Sequence, residues 1–387
     1  MKIRACAAAA AAALIAAPSA FAELAVSAND NKQVLVNAVQ GIPVNPPPDT
    51  VSIIDLAARP PKLVAEINAP ASVIGPPLSV AITTDESLAF VTSAQKLDPA
   101  DPTKVVPDNR VSVIDLKSNP PAVVGTVEAG AGASGVSVNR EGTLVLVANR
   151  NEGTVSVFKL AGKTLTPAGK INLGDAKSGP CHAVFTPDGK RALVTRDGDH
   201  TLSILHIDGD KVTDGKRDFG VGYRPYGVDI SNDGKLAVVA NVGRGQGDMD
   251  TVSVVDMAAV PPRVVDTISV GYTLEGIILS PDGRTAAVIA HNGSAKPKGT
   301  PFAYGDKGKL ILLRLDNLKA SRLAEAPIGV WSQGAAFSKD GKTILVQNMV
   351  EREIQVFSFD GTNVKDTGQR IAVKGGPAGI RVASPRY

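Results

Sequence analysis

The sequence is poor in the residues that staple or metallate small folds, with two cysteines, four histidines and one tryptophan in 387 residues. Two cysteines exclude a disulfide framework. Cys181-His182 lacks the Cys-x-x-Cys-His spacing of covalent haem attachment. Four histidines in four different settings make no zinc-ligand pattern, so no metal site is expected, and no cofactor is identified. An excess of one charge is missing too: Lys and Arg number 41 against 38 Asp and Glu. That balance argues against a general nucleic-acid surface, so no nucleic-acid partner is expected. Long apolar runs are also absent beyond the N-terminus, where none approaches the roughly 18 residues of a membrane span.

The N-terminus reads as a secretory leader. Lys2 and Arg4 precede an apolar stretch over residues 5–17, Pro18 follows, and Ala20-Phe21-Ala22 supplies a small-x-small cleavage pattern. The expected division is a signal peptide over residues 1–22 and one domain over residues 23–387, free in the periplasm or outside the cell. Cleavage would leave Cys181 as the single cysteine, in a chain long enough to build its core without staples.

What the chain has in quantity is glycine, 38 residues, and proline, 27, arranged in repeats. Gly135-Val136-Ser137-Val138, then Glu141-Gly142, a run ending at Asn149, and Thr154-Val155-Ser156-Val157 form one copy. Gly227-Val228-Asp229-Ile230, Asp233-Gly234, a run ending at Asn241, and Thr251-Val252-Ser253-Val254 form another. Further copies centre on Asp188-Gly189, Asp282-Gly283, Asp340-Gly341 and, weakly, Asp85-Glu86. Each copy predicts four short strands, a to d, with Asp-Gly as the tight a–b hairpin turn and β-branched alternation in strand c. A single four-stranded sheet cannot bury both faces, and closing a ring of such sheets does. The expectation is therefore an all-β, seven-bladed β-propeller.

Seven starts of strand a can be counted, the last at Gly379. The first b-c-d set is expected at residues 34–36, 50–55 and 63–67, so residues 379–383 would supply its missing strand a and close the ring. Residues 24–29 offer an alternative first strand. Polar, Pro- and Gly-rich insertions fall in b–c connections at residues 40–48, 95–109, 243–249 and 291–307. In a propeller these loops share a face with the d–a connections, which makes that face the expected functional surface.

Aligning the copies exposes outliers. Seven residues before the turn glycine the column reads Ser79, Gly135, His182, Gly227, Gly276, Gly334, with Gly379 at the end. One residue earlier it reads Leu78, Ser134, Cys181, Tyr226, Glu275, Gln333, Ala378. At the end of strand b it is expected to read Asn37, Ser93, Asn149, Arg196, Asn241, His291, Asn348, with asparagine bonding the turn backbone that follows. The candidate ligand-binding set is His182, Arg196, Tyr226, Glu275, His291, Trp331 and Gln333, with Arg224 beside them. A histidine with a carboxylate and a guanidinium around one funnel can polarise a carbonyl and move a proton near neutral pH, so His182, Arg224 and Glu275 are the catalytic candidates.

The repeats resemble the YVTN family of β-propellers, through Ser280-Pro281-Asp282-Gly283, Val239-Ala240-Asn241 and residues 251–256. The wider group that this resemblance implies includes seven-bladed lactonases, whose channel-mouth His, Arg and Glu groups act on a lactone. The expected function is a periplasmic or secreted propeller that binds a small molecule or a partner protein on its b–c face, as a monomer. The alternatives are a lactonase-type hydrolase acting at the channel mouth and an accessory propeller to a periplasmic redox enzyme.

Overall fold

Each repeat is organised by the turn that joins its first two strands. Ser280 Oγ donates to Asp282 Oδ1 at 2.6 Å, Asp282 Oδ1 accepts the Arg284 N–H at 3.0 Å, and Gly283 sits at φ +68°. A Cβ is strained in that left-handed backbone, which is why the turn carries glycine. The same hydroxyl-to-aspartate bond recurs at Thr186–Asp188, Ser231–Asp233, Ser338–Asp340 and Thr83–Asp85.

The computed structural model describes residues 23–302 and 305–383, all of them strands and connections with no helix. The leader expected over residues 1–22 lies outside the described residues. Seven antiparallel four-stranded sheets form, each ordered a-b-c-d from the channel outward. In the third blade these strands are Ala133–Val138, Leu144–Asn149, Thr154–Ala161 and Thr164–Asn172. Strand b there is buried at all its positions, whereas the outermost strand is mostly exposed.

The core is distributed as seven large apolar clusters, each drawn mainly from two neighbouring blades, with a small eighth of Val73, Met349 and Ala378. Val26 and Ile53 of the first blade pack on Val80 and Ile82 of the second, and Ala336 and Leu345 of the seventh pack on Ala25 and Ile380 of the first. Seven interfaces thus bury both faces of every sheet. At about 25 cal/mol per Å² of apolar surface, this inter-blade burial is the main stabilising term.

Ring closure uses the C-terminal strand, as expected: Gly376–Val382 is the innermost strand of the first blade, with Ala28 opposite Gly379. The next strand differs from expectation. Leu24–Asp30, not residues 34–36, is strand b, followed by Thr50–Asp55 and Lys62–Asn68. Burial decides this, since Leu24–Asp30 is buried at all its positions, while Val34–Val36 pairs only with Val39–Gly41 in a partly exposed hairpin within the b–c insertion.

Candidate functional site

The strand-b column must be corrected in two blades, by one residue in blade six and by eight in blade one. The residue that follows strand b donates its N–H to the carbonyl of the preceding d–a loop in Arg150–Gly132, Asp197–Gly179, Val242–Arg224 and His291–Thr273. His291 is therefore equivalent to Arg150 and Asp197, and Ala290, paired with Lys309 as Asn149 is with Thr154, takes the asparagine position of blade six. In blade one that position belongs to Asn29 rather than Asn37. Asn29 donates to Thr50 and Ser52, Asn149 to Thr154 and Ser156, and Asn241 to Thr251 and Ser253, at 2.8–3.0 Å. The asparagines thus clip strand b to strand c, a buried bond set rather than a turn cap.

Arg196 occupies this clip in blade four. Its guanidinium reaches Ser178 at 2.8 Å, Ser203 at 3.2 Å, Asp218 at 2.9 Å and also Asp199. These contacts consume its donors inside the blade.

The column one residue further on holds two groups that the sequence reading missed, Arg150 and Asp197. Arg150 donates to Asp197 at 2.5 Å and to the Cys181 sulfur at 2.7 Å, and lies 5.6 Å over the Tyr226 ring. Arg224 reaches the same Asp197 oxygen at 3.3 Å. Its φ is +57°, matching Gly132 and Gly179 in the equivalent loop position, so a guanidinium is displayed where blades three and four keep glycine. Trp331 stands at the same position of blade seven with φ +55°.

Glu275 and His291 complete the funnel, with Oε2 and Nε2 3.8 Å apart and both side chains largely buried. Burial pushes the Glu275 carboxyl up to about 7 against the opposing pull of Arg224 and Arg150. Burial also drives His291 down to about 4, despite a backbone hydrogen bond at Ser332, so the imidazole is neutral at pH 7. Its Nε2 has no hydrogen-bond partner among the described residues. The result is a buried acid that titrates near neutrality, a neutral imidazole beside it, and two guanidiniums tied to one aspartate.

The remaining candidates fall elsewhere. Trp331 packs on Val73, Met349 and Ala378, and Gln333 is fully buried with Nε2 donating to the Trp331 carbonyl at 3.0 Å. His182 lies below the funnel. A Cβ on Gly135 would come within 2.6 Å of the His182 ring, and one on Gly276 within 2.7 Å of the Gln333 carbonyl. The glycine column is therefore where the innermost strands crowd together and pinch the channel. His182 lines a separate cavity of about 170 Å³ with Asp229 and Arg381, which extends to Pro187 and Pro281 on the face of the a–b turns.

Residues 108–223 match the family described as "Lactonase, 7-bladed beta-propeller". Similar solved structures include a "putative 6-phosphogluconolactonase" from Bacteroides fragilis, at 17% identity and TM-score 0.72, covering 95% of this chain and 100% of that one. A second protein so described, from Bacteroides uniformis, has 19% identity and TM-score 0.70, covering 93% of this chain and 99% of that one. The periplasmic gluconolactonase of Pseudomonas aeruginosa has 17% identity and TM-score 0.65, covering 94% of this chain and 99% of that one. No curated protein matches the sequence. The chain resembles the lactonase-like propellers, by sequence over residues 108–223 and by fold around the whole ring.

Proposed function

We propose that this protein is a hydrolase of the lactonase type that opens a small sugar-type lactone in the funnel of the b–c and d–a loops. The observation that carries this reading is Glu275, a buried carboxyl titrating at about 7 within reach of His291 and under the field of Arg150 and Arg224. Ring opening of a cyclic ester needs a base for water, a positive group for the carbonyl oxygen, and an acid for the leaving alkoxide. Ionised Glu275 takes a proton from water as its oxygen attacks the carbonyl carbon. The tetrahedral oxyanion is stabilised by Arg224, the more exposed of the two guanidiniums. Collapse breaks the ring C–O bond, and protonated Glu275 returns the proton to the alkoxide, releasing a hydroxy acid. Arg150 and Asp197 hold this charge arrangement in place, and His291 stays neutral beside the carboxyl, adding no competing charge. The leader expected over residues 1–22 would place the reaction in the periplasm or outside the cell.

The test is a panel of five- and six-membered sugar lactones, with spontaneous hydrolysis subtracted, from about pH 6 to 8. Turnover should rise through about pH 7 as Glu275 ionises. It should fall by about 10²-fold or more in Glu275→Gln, and Arg224→Met should raise KM as well as lower kcat. Saturable lactone binding with no turnover by the native protein would sink the hydrolase reading and leave the binding module.

A further inference from the structure

The cavity on the a–b turn face is a second site with its own chemistry. Arg381, from the closing strand, and Asp229, from blade five, face each other across it with Nη1 and Oδ1 3.8 Å apart, too far for a hydrogen bond. Asp229 accepts the Leu279 N–H at 2.8 Å through Oδ2, and Arg381 makes no hydrogen bond to any described residue. His182, 1% exposed, carries Nδ1 without a partner. Val80, Val138, Ile278 and Phe337 are among the apolar residues of the walls. The Arg381 guanidinium, 13% exposed, therefore turns donors without a protein partner toward the chamber, where a bound anion can complete their bonding.

We propose that this chamber binds a small α-amino acid with a branched apolar side chain. Its carboxylate pairs with Arg381, whose planar fork suits bidentate carboxylate recognition. Its ammonium lies on Asp229 Oδ1. Burial, reinforced by Arg381, keeps the His182 imidazole neutral, so it adds no third charge to the wall. The aliphatic side chain lies against the Val and Ile walls. Charge selects the zwitterion: the protein contributes one cation and one anion, so a simple carboxylate would bury a net negative charge while an amino acid leaves the site neutral. Size agrees, because a cavity of about 150 Å³ admits a benzene-sized molecule, and this one measures about 170 Å³.

The experiment is calorimetric titration of the purified protein with L-valine, L-leucine and L-isoleucine, and with 2-hydroxy-3-methylbutyrate, which lacks the ammonium. At least one amino acid should bind saturably at a single site, with the hydroxy acid about tenfold weaker or worse. Arg381→Met should weaken the amino acid at least about tenfold, and Asp229→Asn should erase the preference for amine over hydroxyl. Both residues sit inside the ring, so Val138→Trp serves as the second variant. It fills the chamber while leaving both charged residues in the sequence, and should abolish binding while circular dichroism shows a folded propeller. No saturable binding up to about 10 mM, equal affinity for the hydroxy acid, or binding that survives Val138→Trp overturns the proposal. The chamber and the funnel are separated by the glycine-column pinch, so none of these outcomes bears on lactone turnover.

Discussion

Glu275→Gln should make the protein less active and, above neutral pH, more stable. Ionising a carboxyl whose value stands at about 7 in the folded chain instead of 4.5 costs about 3 kcal/mol, at about 1.4 kcal/mol per pH unit. The sign follows from proton counting. Below pH 4.5 the group is protonated whether the chain is folded or not, and the penalty is absent. Between 4.5 and about 7 the folded state binds the extra proton, so stability falls as pH rises, and above about 7 the loss is complete. Glutamine fills the same space and never ionises. The difference between variant and native protein should therefore be small at pH 4.5 and reach about 1–3 kcal/mol in favour of the variant at pH 8, or about 2–4 °C in Tm for a chain of this size. His291, held near 4 instead of 6.5, removes stability as pH falls through that window, but it is common to both proteins and cancels in the difference to first order. Paired thermal melts from pH 4.5 to 8, each with a lactone assay, read both effects. A stability difference independent of pH would refute the raised carboxyl and, with it, the basis of the catalytic role.

Deleting residues from Gly376 onward removes the innermost strand of the first blade and leaves Leu24–Asp30 as an unpaired edge. Aggregation in size-exclusion chromatography is expected, and a soluble monomer with native Tm would contradict C-terminal closure. Cys181 is fully buried, with burial pushing its thiol up to about 12 against Arg150. Labelling at pH 8 should run about 10³-fold slower than a free thiol, from thiolate fraction alone; labelling at the free-thiol rate would mean the residue is exposed. Arg196→Ala should cost about 2 kcal/mol by denaturant titration, through lost bonds to Ser178 and Ser203. Arg196→Asn, which restores the asparagine of neighbouring blades, should recover part of that loss. Equal destabilisation by both would show that the clip geometry is not shared between blades.

The sequence by itself determined the architecture, because a turn such as Ser280-Pro281-Asp282-Gly283 is a local object: one hydroxyl, one carboxylate and one positive φ define it without reference to the rest of the chain. Repeating that turn with β-branched runs between copies is enough to imply stacked sheets and a closed ring. It also marked Tyr226 and Glu275, since each departs from its neighbours in an aligned column, with Arg224 picked out beside them. Identical local chemistry left some choices open, and tertiary structure made them. Two valine-bearing segments near the N-terminus compete for strand b, and burial against both neighbouring blades selected Leu24–Asp30. Only the backbone bond of His291 to Thr273 fixed its register, and so its kinship with Arg150 and Asp197. The Arg381–Asp229 pair joins the last strand to blade five across the channel, a distance of 152 residues in sequence that ring closure alone brings to 3.8 Å.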